Sequence, residues 1–297
     1  MLPNFLIVGA AKSGTSSIDR YLAQHPEVYL PVKKEAHYFA MPSFPARFNG
    51  RGDEGMNTET IGSRERYESL FDAVGNEIAI GESSAFYLYY PGTAERIHSE
   101  NPDMKIVIVL RNPVDRAFSA YMHLLRDERE TLSFEDGLRE EANRKRLDYE
   151  PLWLYRELGL YTEQVRRYLD VFGREQVKVI LYDDFSRDNA AVMSELFAFL
   201  GVNPRFAIDS SIRYNESGMP KSRALFNFVT KPNALKEMVK PFVPADLRER
   251  LGNRAKSMLL EKTQMHPATR ASLQEFFAAD ISQLQSLLNR DLSAWLR

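Results

Sequence analysis

The chain has no cysteine and no apolar run long enough to span a bilayer. Without cysteine there are no disulfides and no thiolate metal sites, which fits a reducing compartment. The five histidines show no ligand spacing such as H-E-x-x-H, so no metal site is expected. Net charge is also small: 39 Lys and Arg against 41 Asp and Glu leave −2. That excludes a global pull toward nucleic acid or membrane, so any anion site must be local. The start of the chain lacks a basic n-region, and the apolar stretch Phe5 to Ala11 is far too short to cross a membrane. The expectation is a cytoplasmic protein. What is present is ordinary for a globular chain: 297 residues, 44% hydrophobic and 27% charged, with enough length for a sizeable core.

Four short runs rich in Ile, Val and Leu read as buried strands: Phe5 to Val8, Ile78 to Ile80, Lys105 to Leu110 and Val177 to Leu181. Helical periodicity marks Thr15 to Gln24, Thr93 to Glu100, Val114 to Leu125, Leu158 to Phe172, Asn189 to Leu200 and Ala268 to Leu288. Continuous apolar strands alternating with amphipathic helices predict an α/β fold, a central parallel sheet flanked by helices on both faces. Pro42 to Ser63 has no periodicity and reads as a long loop or mobile cap. Asn203 to Pro267 is irregular and proline-bearing, with short helical pieces such as Ala245 to Leu251. With no repeat and no clear linker, one domain over 1–297 is expected. The run Arg139 to Arg146 reads as a solvated helix face, and Phe276, Phe277 and the C-terminal leucines read as core.

Two segments carry chemistry. The first strand runs into Gly9-Ala-Ala-Lys-Ser-Gly-Thr15, and a helical pattern follows at once. Such a turn aims free N–H groups and the positive end of the helix dipole at an anion. Lys12 adds a full charge, and Ser13, Thr15 and Ser16 add hydroxyl donors. Its lysine precedes the second glycine, whereas a Walker A loop has it after. The second segment follows Lys105 to Leu110 and reads Arg111-Asn112-Pro113-Val114-Asp115-Arg116-Ala117-Phe118-Ser119. Asn112 suits an N-cap, Pro113 the first helical position, and Asp115 the dipole. Arg111 therefore stands at the carboxyl end of a central strand, where open α/β sheets bind ligands, with a guanidinium fork suited to phosphate. Ser119 adds a hydroxyl about two turns along the helix. Two anion sites at strand ends suggest one ligand with phosphates at two positions.

Together these residues resemble sulfotransferases that use 3′-phosphoadenosine 5′-phosphosulfate (PAPS), and in particular the branch of the heparan sulfate sulfotransferases and their bacterial relatives. Phe5 to Thr15 resembles that family's 5′-phosphosulfate loop. Lys34-Glu-Ala-His-Tyr-Phe39 is similar to its K-E-x-H-[FY]-F, and Val109 to Tyr121 resembles its 3′-phosphate motif. Weaker matches are Gly81-Glu-Ser-Ser-Ala-Phe-Tyr87 and Asn215 to Arg223. Relatives often carry lysine or proline where this chain has Glu82-Ser83-Ser84-Ala85. The resemblance spans Phe5 to about Trp295 and implies a P-loop-like three-layer sandwich that moves a sulfuryl group from PAPS to an acceptor hydroxyl or amine, leaving adenosine 3′,5′-bisphosphate (PAP).

The implied donor site is Lys12, Ser13, Gly14, Thr15, Ser16 and Ser17 for the 5′-phosphate, Arg111 and Ser119 for the 3′-phosphate, and Lys221, Ser222 and Arg223 from the later loop. Lys12 would also act catalytically by neutralising the leaving phosphate. Glu35 is the expected base, with His37 the alternative. If Lys34 to Phe39 is extended, Glu35 and His37 face the same side. Two other readings stand beside this one. Val177 to Asp184, ending in Asp183-Asp184, imitates the magnesium-binding strand of a P-loop kinase or NTPase. A non-enzymatic nucleotide-binding module would bind PAPS without transferring anything. The acceptor is left open among carbohydrate, small phenol or alcohol, lipid and carrier-tethered chains, with no nucleic-acid or membrane partner expected.

Overall fold

The computed structural model describes residues 1–209, 219–220, 260–261 and 263–297. Its frame is a five-stranded sheet: β1 (Phe5–Gly9), β2 (Val28–Tyr29), β3 (Ala79–Ser83), β4 (Lys105–Leu110) and β5 (Val177–Leu181). The order is β2-β3-β1-β4-β5, and every pairing is parallel. β1 is central: Phe5 pairs with Gly81 on one side and Lys105 on the other. Gly81 has to be glycine, because a Cβ there would lie 2.1 Å from the Phe5 ring. All four other strands run the same way, so every carboxyl end points to one edge of the sheet.

Side chains alternate across the pleat, so each strand feeds two cores. Phe5, Ile7, Val107 and Val109 pack under α1 (Thr15–Leu22) and, later in the chain, under Met193, Leu196 and Phe197. Leu6, Val8, Ile106, Ile108 and Leu110 pack on the opposite face. The elements after α1 are α2 (Glu54–Glu59), α3 (Arg64–Glu68), α4 (Thr93–Glu100), α5 (Pro113–Arg126), α6 (Phe134–Arg146), α7 (Tyr161–Phe172), α8 (Tyr182–Arg187), α9 (Asn189–Leu200) and α10 (Pro267–Leu288). Helices α4, α5, α7 and α10 cover the second face, which completes three layers.

The four strands and six helices expected from periodicity are present, with ends shifted by a few residues. β3 runs on through Gly81 to Ser83, because Glu82 and Ser83 are buried and their backbone pairs with Leu6 and Ile7 of β1. Within Pro42 to Ser63, Asp53 is 1% exposed. It accepts from the Gly50 and Glu150 N–H groups at 2.8 Å and from Trp153 Nε1 at 2.9 Å. Arg129 closes the cluster by pairing with Asp53 and with Glu150.

Two expectations need correction. α6 does carry exposed Arg139, Lys145 and Arg146, but Glu141 and Arg144 are buried. Glu141 is covered because Arg156 pairs with it at 2.9 Å, and Arg144 because Glu130 does so at 2.8 Å. Phe276 is 44% exposed and lies under the Arg156 guanidinium, while Phe277 is fully buried. The last part of the donor-site expectation, Lys221, Ser222 and Arg223, lies outside the described residues, as does Ala245 to Leu251.

Candidate active site

The site forms where three parallel strands end. β1 gives way to the Ala10–Gly14 turn, β3 to Ser84 and Ala85, and β4 to Arg111. Gly14 caps α1 with φ 99, a left-handed conformation that favours glycine, and a Cβ there would lie 2.9 Å from the Tyr182 ring. The first-turn N–H groups of α1 point out of its end toward the same edge. The Ser13 N–H is not among the donors on offer: it reaches back to the Ala10 carbonyl at 3.2 Å, and its side chain is fully buried. Thr15 is also buried, while Lys12, Gly14, Ser16 and Ser17 are half-buried.

Arg111 lies beside this loop. Its Nη1 donates to the Lys12 carbonyl at 3.4 Å, and its guanidinium sits 5.0 Å from the Tyr182 ring centre. The Tyr161 hydroxyl holds the Arg111 carbonyl at 3.0 Å. α5 begins as its sequence dictates: Asn112 Oδ1 accepts from the Val114 N–H at 3.0 Å, with Pro113 in the first turn. Ser119 is buried two turns along the same helix. The Lys12 loop and the Arg111 segment are therefore adjacent.

Burial lowers the Lys12 ammonium to about 8, and the nearby charges of Arg126, Arg111 and Arg116 push the same way against Asp127. The last turn of α5 thus belongs to the site, which the sequence reading missed. His123 Nδ1 accepts from Arg126 at 2.6 Å, and its Nε2 is 3.6 Å from Asp127. Burial and then Lys12 lower the His123 imidazole to about 3. The signal was the i, i+3, i+4 spacing of His123, Arg126 and Asp127, which puts all three on one helix face.

Glu35 and His37 converge, though not by alternation along an extended strand. Their φ angles are 57 and 54, both left-handed. Such angles cost a non-glycine residue about 1–2 kcal/mol each and persist only where the surroundings hold them. The end of β3 supplies that hold. The Glu35 N–H donates to the Ser83 carbonyl at 2.9 Å, and the His37 N–H to Ser84 Oγ at 3.0 Å. The Ala85 N–H donates to Glu35 Oε2 at 2.8 Å, and that oxygen lies 3.6 Å from His37 Nε2. Neither neighbouring lysine takes Glu35: Lys33 pairs with Glu59 at 3.6 Å and Lys34 with Asp19 at 3.2 Å.

The two candidates differ in access. The Glu35 side chain is 41% exposed, while that of His37 is 4% exposed, stacked on Phe86 with centroids 5.4 Å apart. The enclosed side of the Glu35 carboxyl still pushes it up, to about 7. Burial pushes His37 the other way, to about 3, so its ring is neutral and a weak base. Glu82, under this pair, is fully buried and also pushed up to about 7 by burial.

The kinase reading loses its anchor. Asp183 Oδ2 accepts from Trp295 Nε1 at 2.6 Å, and Asp184 pairs with Arg290 at 2.6 Å and with Arg187. Both carboxylates are engaged in holding the C-terminal segment against β5.

Comparison with known proteins shows the family. Residues 3–206 match the family model described as the sulfotransferase family. The crystal structure of a sulfotransferase from Alicyclobacillus acidocaldarius is 50% identical, covers 100% of both chains and superposes with a TM-score of 0.82. The membrane-associated sulfotransferase kil1 of Dictyostelium discoideum is 26% identical over 68% of this chain and 56% of its own length. The mouse bifunctional heparan sulfate N-deacetylase/N-sulfotransferase 4 is 28% identical over 72% of this chain and 24% of its own. The chain thus spans about half of the first of these relatives and about a quarter of the second. The family model over residues 3–206 and the full-length similarity to a solved sulfotransferase place the chain in the sulfotransferase family.

Proposed function

We propose that this protein transfers the sulfuryl group of PAPS to an acceptor hydroxyl or amine, with Glu35 as general base. The observation that carries the reading is the juxtaposition of the Lys12 loop, Arg111 and the half-open Glu35 carboxyl at one sheet edge. Lys12 and the first-turn N–H groups of α1 hold the 5′-phosphate. Arg111 and Ser119 grip the 3′-phosphate and select PAPS over ATP, with Lys221, Ser222 and Arg223 as further donor contacts. As the acceptor oxygen bonds to sulfur, the bond from sulfur to the 5′-phosphate oxygen breaks in line. The acceptor proton passes to Glu35, and Lys12 neutralises the charge that develops on the departing phosphate. Glu35 is the base because it is the candidate that reaches the cleft, and because a group near 7 accepts a proton better than one near 3.

The test is an acceptor screen with radiolabelled PAPS in the presence of EDTA. It should span carbohydrates, small alcohols and phenols, lipids and carrier-tethered chains. Label transfer to one class supports the reading. Magnesium-dependent turnover of ATP with no transfer from PAPS would overturn it in favour of a kinase-like enzyme, and PAPS binding with no transfer to any acceptor or to water would favour a binding module.

A further inference from the structure

Glu82 is an odd residue to find at the end of a central-face strand. Its side chain is fully enclosed, and no cation among the described residues lies within ion-pair distance. A buried carboxyl with no cation is costly, and an apolar residue of that size would serve the core better. Its surroundings are specific. Oε1 accepts a short hydrogen bond from the Ser84 hydroxyl. Oε2 makes no well-formed hydrogen bond, and the Tyr87 phenol and the Ala36 amide are the other polar groups near the carboxyl. Ser84 Oγ, donating to Glu82, also accepts from the His37 N–H at 3.0 Å. The chain of contacts runs Glu82, Ser84, His37, Glu35.

We propose that Glu82 is a positioning residue for the base: by fixing the Ser84 hydroxyl it holds His37 and Glu35 in their left-handed conformations, with the Glu35 carboxyl aimed at the cleft. This rests on the reading of Glu35 as base. With its O–H directed at Glu82 Oε1, the Ser84 hydroxyl keeps the rotamer that offers a lone pair to the His37 N–H. Without that anchor, two non-glycine residues with positive φ have one backbone hydrogen bond fewer to keep them there.

The experiment compares Glu82→Gln, Glu82→Met, Ser84→Ala and the double variant Glu82→Met/Ser84→Ala, with Glu35→Gln as control. The readouts are PAP affinity, Tm, and release of labelled sulfate from PAPS to water, which needs no knowledge of the acceptor. In that step a water oxygen bonds to sulfur, the bond to the phosphate breaks, and the water proton goes to Glu35. Glu82→Gln keeps an oxygen for Ser84 and should stay within about threefold of the parent rate. Glu82→Met and Ser84→Ala should each lose about tenfold or more in rate with unchanged PAP affinity, Glu82→Met without loss of Tm and Ser84→Ala with a lower Tm, since it leaves the buried His37 N–H without its acceptor. The double variant should be no slower than the worse single, because one chain of contacts is cut twice. Additive losses, or full rate in Glu82→Met and Ser84→Ala, would overturn the proposal. If Glu82→Met does not fold, the rates of Ser84→Ala and Glu82→Gln decide alone. Full rate in Glu35→Gln would instead overturn the base itself, and that outcome is distinct from a failure of the positioning role.

Discussion

At Lys12, charge and burial compete. Its ammonium stands near 8 because it is enclosed and surrounded by arginines, so it is mostly protonated at neutral pH and loses its proton just above. An anion binds better to the protonated form, so PAP affinity should be flat up to about pH 7.5 and then weaken by up to about tenfold per pH unit. Calorimetric titration from pH 6 to 9.5 checks this, and an affinity unchanged at pH 9.5 would remove Lys12 from the phosphate site. At Glu35 the sign is reversed, because the base must be ionised. The rate at low substrate should fall as pH drops through about 7, the position of the Glu35 carboxyl, whereas a His37 base would move that limb to about 3. Glu35→Gln should keep donor affinity and lose roughly 10²–10⁴-fold in transfer. Near-normal turnover in Glu35→Gln, with His37→Gln inactive, would exchange the two roles.

At the scale of elements, what was legible depended on how local the signal is. β1, β4 and the Asn112-Pro113 start of α5 were readable because apolar runs and caps are written in adjacent residues. The Glu35 and His37 pairing was expected, but for the wrong reason. Their backbone is set by hydrogen bonds to Ser83, Ser84 and Ala85, more than forty positions away, and no local pattern encodes that. Charged residues misled for the same cause: Glu141 and Arg144 read as part of a solvated face until Arg156 and Glu130, outside that helix, close over them. The 42–63 segment shows how far such a partner can matter. Asp53 ties it to Trp153, Glu150 and Arg129, so Asp53→Ala leaves three N–H donors without their acceptor and the half-buried Arg129 guanidinium with one carboxylate instead of two. That variant should lose about 3–5 kcal/mol of stability. Chemical denaturation of Asp53→Ala and the parent measures it, and a loss below about 1 kcal/mol would mean the cluster does not anchor the segment.

For the whole molecule, the parallel sheet is what gathers the site. Because β1, β3 and β4 all end at one edge, a lysine loop, a base segment and an arginine from distant parts of the chain meet there. Arg111 and Lys12 are one hydrogen bond apart across that edge, so a ligand with two phosphates should engage both. This two-phosphate site is the central claim, and thermal melting with PAP, AMP and ATP at one concentration, saturating for PAP, tests it most directly. A ligand at 100 times its Kd adds about 2.7 kcal/mol, which for a chain of this size raises Tm by roughly 5 °C or more. PAP should give that shift in the parent while AMP and ATP give little, and Arg111→Ala should reduce the PAP shift to the level of AMP. Equal shifts for all three nucleotides, or a PAP shift untouched by Arg111→Ala, would contradict the account.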